Sequence, residues 1–396
     1  MKAQNKKGED DIQHASRTST TGAPKALRIV IAGGVTGGHL FPGIAIAQEF
    51  MTRNPESRII FAGAGKPFEI SALSNTGFEH WSITAQGIKG LGFLKKMKSV
   101  LKIPRGTIES ILFLRDFKPD IVVGVGGYAA GPVALGARFL GIKIVLHEQN
   151  ILPGITNRFL SHFADRIYVS FDNTKKFMHL KKTLFTGNPV RREIMERERM
   201  QPCSDRAVSG TVPRKERLFK ILIIGGSQGA HSINMAVVDA LDQIKNTNAF
   251  SFVHQTGLQD EEMVKNAYTR KGISCTVKSF FSDMARQYER ADLVICRAGA
   301  TTIAEITALG KGVLFIPFPH AADNHQVLNA QTLVRLGAAE MILEKDLNGK
   351  SLAKRIEQYS ADPESLDEMA SRAKRHGKPD AARVIVDDCY QWVGGV

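Results

Sequence analysis

The chain has 396 residues, is 43% hydrophobic, and carries 53 Lys and Arg against 39 Asp and Glu, a formal charge of +14 at pH 7. That length is too great for one ordinary core and suits two soluble α/β domains, while the positive excess favours an acidic partner, with nucleic acid, an anionic membrane and phosphorylated small molecules all open. The cysteines at 203, 275, 296 and 389 form no C-x-x-C pair, which argues against a disulfide framework or a zinc ribbon and fits a reducing cytoplasm.

Residues 1–26 are polar, of mixed charge and without the apolar stretch of a signal peptide, so they are expected to stay disordered. From Leu27, short β-branched runs alternate with amphipathic stretches. Strands are expected near 28–32, 58–62, 120–125, 142–147, 166–169 and 183–185, in a first domain over 27–195. The apolar run from Ile121 to Ala137 is broken by Pro132 and by glycines at 124, 126, 127, 131 and 136, so it reads as strand, loop and helix rather than a membrane span. With no transmembrane helix predicted, membrane contact should be peripheral.

Between them, Gly92 to Ile103 projects Phe93, Leu94, Met97, Val100 and Leu101 on one arc of a helix and Lys95, Lys96, Lys98 and Lys102 on the other. The apolar arc packs on the core, or it dips into an anionic bilayer with the Lys heads among phosphates. Ile88, Leu91 and Phe93 around Gly87, Gly90 and Gly92 suit a flexible apolar loop for a lipid. Residues 196–218, with Pro202, Gly210 and Pro213, are polar and basic and read as a linker. A second domain over 219–377 repeats the alternation, with strands near 220–224, 250–254, 274–277, 292–296 and 312–316 and helices such as Ser232 to Ile244 and Thr301 to Leu309. The segment from Asp346 to Val393 is helical throughout, and its end, about 378–396, is expected to pack back on the first domain.

Two segments echo each other. Ile29 to Ala32 leads into Gly33-Gly34-Val35-Thr36-Gly37-Gly38-His39, and Ile221 to Ile224 into Gly225-Gly226-Ser227-Gln228-Gly229-Ala230-His231. Each is an apolar strand, a glycine pair and a turn opening a helix. At the carboxyl end of a parallel sheet such turns offer unpaired amides and a partial positive charge, so they either cradle a diphosphate or simply close strand onto helix. Neither is G-x-G-x-x-G, and no P-loop follows a strand, which argues against nicotinamide cofactors and P-loop ATP hydrolysis. A third turn, Cys296 to Thr302, opens a helix carrying Glu305, whose carboxylate either accepts both hydroxyls of a ribose or is merely solvated. His39, at a helix start facing the cleft, is the candidate general base or else a capping residue. With no H-E-x-x-H and no D-x-D, metal catalysis has little support and no cofactor is expected; His320 and His325 do not stand at zinc-ligand spacing on one helical face. The loop Pro317 to Gln326 gathers polar groups suited to sugar hydroxyls. With only 7% aromatic residues and no recognised module, a nucleic-acid partner finds little support.

The ordered set Thr36-Gly37-Gly38-His39 with Phe41-Pro42-Gly43, Gly126-Gly127-Tyr128, His147-Glu148-Gln149-Asn150, Gly187-Asn188-Pro189-Val190-Arg191, Gly225 to Ala230, and Cys296 to Ala300 with Glu305 resembles the family 28 glycosyltransferases that build the lipid-linked precursor of peptidoglycan. The resemblance covers Leu27 to the C-terminus. It implies an α/β fold of the GT-B type, two Rossmann-like domains with parallel sheets facing across a cleft. It also implies an inverting transfer of N-acetylglucosamine from UDP-N-acetylglucosamine to the C4 hydroxyl of the muramyl sugar of lipid I. Donor contacts carried over by motif are Thr36, Gly37, Gly38, Asn157, Arg191, Ser227, Phe281, Ala300, Thr301, Thr302, Ile303, Ala304, Glu305 and Gln326. Glu305 would hold the ribose and the Phe281 backbone the uracil. The implied setting is peripheral, on the cytoplasmic face of the inner membrane, among cell-wall and division proteins. Other GT-B enzymes that use a UDP-sugar, such as lipid glucosyltransferases and UDP-N-acetylglucosamine 2-epimerases, share the fold and donor chemistry. Val35 stands where the family typically has glycine, which would strain the turn if that position needs positive φ.

Overall fold

The computed structural model describes residues 25–34, 36–74, 76–87, 93–200 and 217–394, with side chains excepted over 93–101. The expected tail through residue 24, Val35, the apolar loop 88–92, the linker over 201–216 and the side chains of Phe93, Leu94, Lys95, Lys96, Met97 and Lys98 lie outside the described residues.

Thirteen strands among the described residues form two all-parallel sheets. The first lobe holds β1 (Arg28–Gly33), β2 (Arg58–Gly63), β3 (Glu79–Ser82), β4 (Ile121–Gly126), β5 (Lys143–Glu148), β6 (Arg166–Val169) and β7 (Thr183–Phe185), in the order β3-β2-β1-β4-β5-β6-β7. Its helices are α1 (Gly37–Arg53), α2 (Pro67–Ser74), α3 (Phe93–Phe117), α4 (Ala130–Phe139), α5 (Ile155–Leu160) and α6 (Arg192–Met200). The second lobe holds β8 (Phe219–Ile224), β9 (Phe250–Gln255), β10 (Ser274–Lys278), β11 (Leu293–Cys296), β12 (Gly312–Phe315) and β13 (Glu340–Met341), ordered β10-β9-β8-β11-β12-β13. Around it lie α7 (His231–Leu241), α8 (Glu261–Arg270), α9 (Met284–Arg290), α10 (Ala300–Leu309), α11 (His325–Val334), α12 (Gly349–Ala361) and α13 (Pro363–His376).

The central strands are continuous apolar runs because a parallel sheet covered on both faces buries every side chain. Along β1, Ile29 and Ile31 enter one core and Val30 and Ala32 the other. The strand order reverses direction between β1 and β4 in one sheet and between β8 and β11 in the other, and ligands of such sheets bind in the crevice beyond those strand ends. Both glycine turns and the turn before α10 stand there.

Two strands carry no legible signal: β3 is Glu-His-Trp-Ser at an edge, and β13 has two residues. The basic segment is the start of a longer helix, since α3 runs for 25 residues through Pro104. The last helix, α14 (Ala381–Val393), crosses to the first lobe, where Ile385, Val386, Cys389 and Tyr390 join the core beneath α1. Full burial of such side chains contributes about 1.5–3 kcal/mol each. Polar contacts add register: the Tyr168 hydroxyl donates to Asp388 Oδ2 at 2.9 Å, and Arg166 lies 4.6 Å from the Trp392 ring centroid.

Candidate active site

The first glycine turn is shaped by close backbone approach. Gly33 pairs with Gly126 across β1 and β4, at φ +115, and a Cβ there would sit 2.1 Å from the Gly126 carbonyl oxygen. Gly126, at φ +92, makes room in turn for the His39 ring, whose Cδ2 would be 2.6 Å from any Cβ added to it. Absence of a side chain at Gly126 therefore seats the histidine over the end of β4. His39 is the third residue of α1, and its Nδ1 lies 2.9 Å from the Thr36 hydroxyl. Burial, aided electrostatically by the neighbouring His325, pushes its pKa down to about 4, so the imidazole is neutral at pH 7.

Beneath the ring lies a buried polar network. His147, wholly buried, sets Nε2 3.3 Å from the Gly187 carbonyl, and burial pushes its pKa down to about 4 as well. Glu148 accepts from the Asn150 amide at 2.9 Å, the Gly154 amide at 3.1 Å and Asn157 Nδ2 at 2.9 Å. Burial raises its pKa against those three bonds. Asn157 also donates to the His147 carbonyl at 3.1 Å, and its own Oδ1 is buried without a partner. The network holds Asn157 beside Gly126 and His39.

Facing it, α10 begins at Ala300, with Gly299 as N-cap in extended conformation and no side-chain cap. Its first-turn amides point into the cleft, and the Thr301 hydroxyl already reaches the Gly38 carbonyl at 3.3 Å. Ile303 is buried and Ala304 half-buried; Thr302 is half-buried at the rim. Glu305 is 3% exposed, and its Oε1 accepts from Arg191 Nε at 2.8 Å while Oε2 accepts from the Tyr288 hydroxyl at 3.0 Å. The reading of Glu305 as a solvated helix residue is thereby removed. Burial works against the Arg191 charge, but Glu305 outweighs it and the guanidinium pKa is raised. Arg191 also stands 5.0 Å from the Phe41 ring centroid on α1. It so joins the two lobes, as does Asn329, which accepts from the Ile151 amide at 3.1 Å and donates to Asn150 at 3.1 Å.

The other predicted residues have local environments of their own. Ser227 is exposed in the second glycine turn. Phe281 is buried, and its amide donates to Gln255 Oε1 at 3.0 Å. Gln326 spends its Oε1 on the Phe318 amide at 2.9 Å. Lys102, the described member of the basic helix face, donates to Gln86 at 2.7 Å. Tyr288 escaped the motifs: a tyrosine 17 residues before Glu305 carries no spacing signal. The motif around His147 and the loop holding His325 were marked in the sequence, but their proximity to His39 was not.

Two Rossmann-like lobes with their switch points turned toward one another define a GT-B glycosyltransferase fold. Residues 29–169 match the glycosyltransferase family 28 N-terminal domain and residues 220–385 the family 28 C-terminal domain. The chain belongs to glycosyltransferase family 28. It is 44% identical, over 93% of its length and 99% of the relative's, to the UDP-N-acetylglucosamine--N-acetylmuramyl-(pentapeptide) pyrophosphoryl-undecaprenol N-acetylglucosamine transferase of Syntrophus aciditrophicus. The protein of that name from Geobacter metallireducens is 43% identical, over 91% of this chain and 98% of its own. Among solved structures, Acinetobacter baumannii MurG superposes with a TM-score of 0.72 at 29% identity, covering 91% of this chain and 98% of that one. A Neisseria meningitidis UDP-GlcNAc 2-epimerase shares the fold, at a TM-score of 0.65 and 16% identity, over 92% of this chain and 99% of its own.

Proposed function

We infer that this enzyme moves N-acetylglucosamine from UDP-N-acetylglucosamine to the muramyl C4 hydroxyl of lipid I, giving lipid II and UDP. The observation that carries it is the 44% identity to a transferase of that name across nearly the whole of both chains. The site supports the same chemistry. A nucleotide diphosphate fits between the N-termini of α1 and α10, where helix amides and dipoles meet the charge that grows on the leaving UDP. Glu305 takes the ribose. Since the Phe281 amide is already engaged, its carbonyl is the group left for uracil. Ser227, Arg191, Asn157 and Gln326 line the remaining donor path.

In the tautomer with Nδ1–H donating to Thr36, the His39 lone pair sits on Nε2. That nitrogen takes the C4 hydroxyl proton as the oxygen attacks the anomeric carbon from the face opposite UDP, which inverts the α-linked donor to a β-1,4 product. The arriving diphosphate anion stabilises the imidazolium that forms. No D-x-D motif stands ready to hold a divalent ion, so the transfer is read as metal-independent.

The acceptor is a membrane lipid, and the first lobe carries a face suited to it. Ile108 and Leu112 on α3, Phe139 at the end of α4, and Ile155 and Phe159 on α5 are each more than half exposed, interspersed with exposed Arg105, Arg115, Arg138 and Arg158. Apolar side chains among cations suit an anionic bilayer surface. The Lys-rich stretch of the sequence opens the same helix, α3. Among the described residues no helix is long and apolar enough to cross a membrane.

Transfer of radiolabelled N-acetylglucosamine to a short-chain lipid I analogue, with and without chelator, tests the reaction. No transfer refutes it, and transfer abolished by chelation refutes metal independence. Sedimentation with anionic vesicles tests the surface: changing Lys95, Lys96, Lys98 and Lys102 to Glu should release the enzyme, and undiminished binding refutes the membrane role of that helix.

A further inference from the structure

A carboxylate that recognises two vicinal hydroxyls has to present both oxygens in a fixed plane, yet the terminal torsion of a glutamate is broad and turns easily. In this chain the plane of Glu305 is set from outside α10. Tyr288, on α9, is 1% exposed in a cluster with Phe281, Val294, Cys296 and Ile306, and its hydroxyl donates to Oε2 at 3.0 Å. Arg191 holds the other oxygen at 2.8 Å. An ionised carboxylate has about four acceptor sites, so two remain after these bonds for a diol.

We propose that Tyr288 is a positioning residue for donor recognition: it fixes the Glu305 carboxylate so that the enzyme selects ribonucleotide over deoxyribonucleotide sugars, without itself touching the nucleotide. The proposal rests on the reading of Glu305 as the ribose acceptor. Its physical content is that loss of the phenol leaves Oε2 buried without its donor. The carboxylate then swings toward the Arg191 guanidinium, whose fork accommodates both oxygens, and the diol meets an edge in place of a plane. Burial and the neighbouring Glu305 charge hold the phenol well above its ordinary pKa, so it remains a donor at every working pH.

The test compares UDP-N-acetylglucosamine with its 2′-deoxyribose analogue in the wild-type enzyme, in Tyr288→Phe, and in enzyme with 4-aminophenylalanine at position 288, which keeps a donor at the same point. Wild type should prefer the ribonucleotide by roughly 10–100-fold in kcat/KM, the range of a hydrogen bond to a charged group. In Tyr288→Phe the preference should fall below about threefold, through KM with kcat nearly kept, and the amino variant should restore it above about tenfold. A Tyr288→Phe enzyme with the wild-type preference overturns the proposal. Where that variant does not fold, the amino variant decides: a preference lost although a donor is present overturns it too. Absence of any preference in the wild type instead refutes the ribose role of Glu305, a separate failure that removes the ground for the proposal.

Discussion

The two glycine turns are near copies in sequence and unlike in chemistry. In the first, α1 starts at Gly37, so His39 is its third residue, turned over Gly126 into the cleft. In the second, α7 starts two residues later in the repeat, at His231 itself, and that ring points outward to Asp260, with Nδ1 3.0 Å from the carboxylate and the side chain 73% exposed. A two-residue difference in where the helix begins separates a desolvated neutral imidazole from an exposed ring beside a carboxylate. A repeated motif thus transmits backbone geometry, the cradle for an anion, while the chemistry depends on what the opposite strand end leaves open.

The sharpest way to break this contrast is at His39. His39→Ala should lower kcat by roughly 10²–10⁴-fold with donor affinity largely kept, the usual yield of a positioned general base. Turnover of the soluble acceptor analogue, with UDP binding by calorimetry, checks it; unchanged turnover removes His39 from the reaction. Because its pKa is pushed down to about 4, the neutral form persists well below the ordinary histidine range. No loss of kcat/KM from protonation of this base should therefore occur between pH 7.5 and about 5.5, where an unperturbed histidine near pH 6.5 would already have cost activity.

The second lobe relies on paired charge in place of a neutral base. Arg191→Met leaves the Glu305 carboxylate buried with only the Tyr288 bond, and removal of one partner from such a pair costs about 3–5 kcal/mol. Urea denaturation should show that loss, and the Arg191→Met, Glu305→Gln double variant should recover part of it because no buried charge is left alone. A double variant no more stable than the single one would contradict the buried-pair account.

Much of this architecture was legible in the chain because parallel strands buried on both faces must be continuous β-branched runs, as in Ile29 to Ala32 and Ile221 to Ile224. Edge strand β3 was not, since Glu79 to Ser82 has neither alternation nor an apolar run to mark it. In the cleft, residues at helix starts could be read from local sequence, because the N-terminus of a helix is a chemical address. The contacts that give those residues their states could not. The space over Gly126 for His39, the proximity of His325, and the Tyr288 bond to Glu305 are all set by topology and leave no periodic trace.

Each lobe also hides one wholly buried histidine, which permits a comparison by acid. Burial pushes His147 down to about 4 in the first lobe and His254 down to about 3 in the second, where it lies between Asn234 and Tyr268. Their folded pKa values lie below the unfolded value near 6.5, so between that pH and the folded values the unfolded chain binds more protons. Stability contributed by the neutral forms is complete above about pH 6.5 and declines as pH falls toward 4, by up to about 1.4 kcal/mol per pH unit for each histidine. Urea midpoints between pH 7 and 4.5 should give that slope, and His147→Asn should remove about one proton from it. An unaltered slope would mean that His147 is not buried in its neutral form.

The smallest effect is predicted where the sequence echo would have suggested the largest. His231→Ala should change turnover by less than about twofold and stability by no more than about 0.5 kcal/mol, because a polar contact of an exposed side chain in water contributes little. Asp260 does not depend on it, since Asn234 Nδ2 donates to the same carboxylate at 2.7 Å and also ties it to the Thr256 carbonyl at 2.9 Å. Loss of the ring therefore leaves no buried group unsatisfied. A fall in turnover comparable to that of His39→Ala would show that the second turn carries acid–base chemistry after all, and that the register of the helix start does not separate the two histidines.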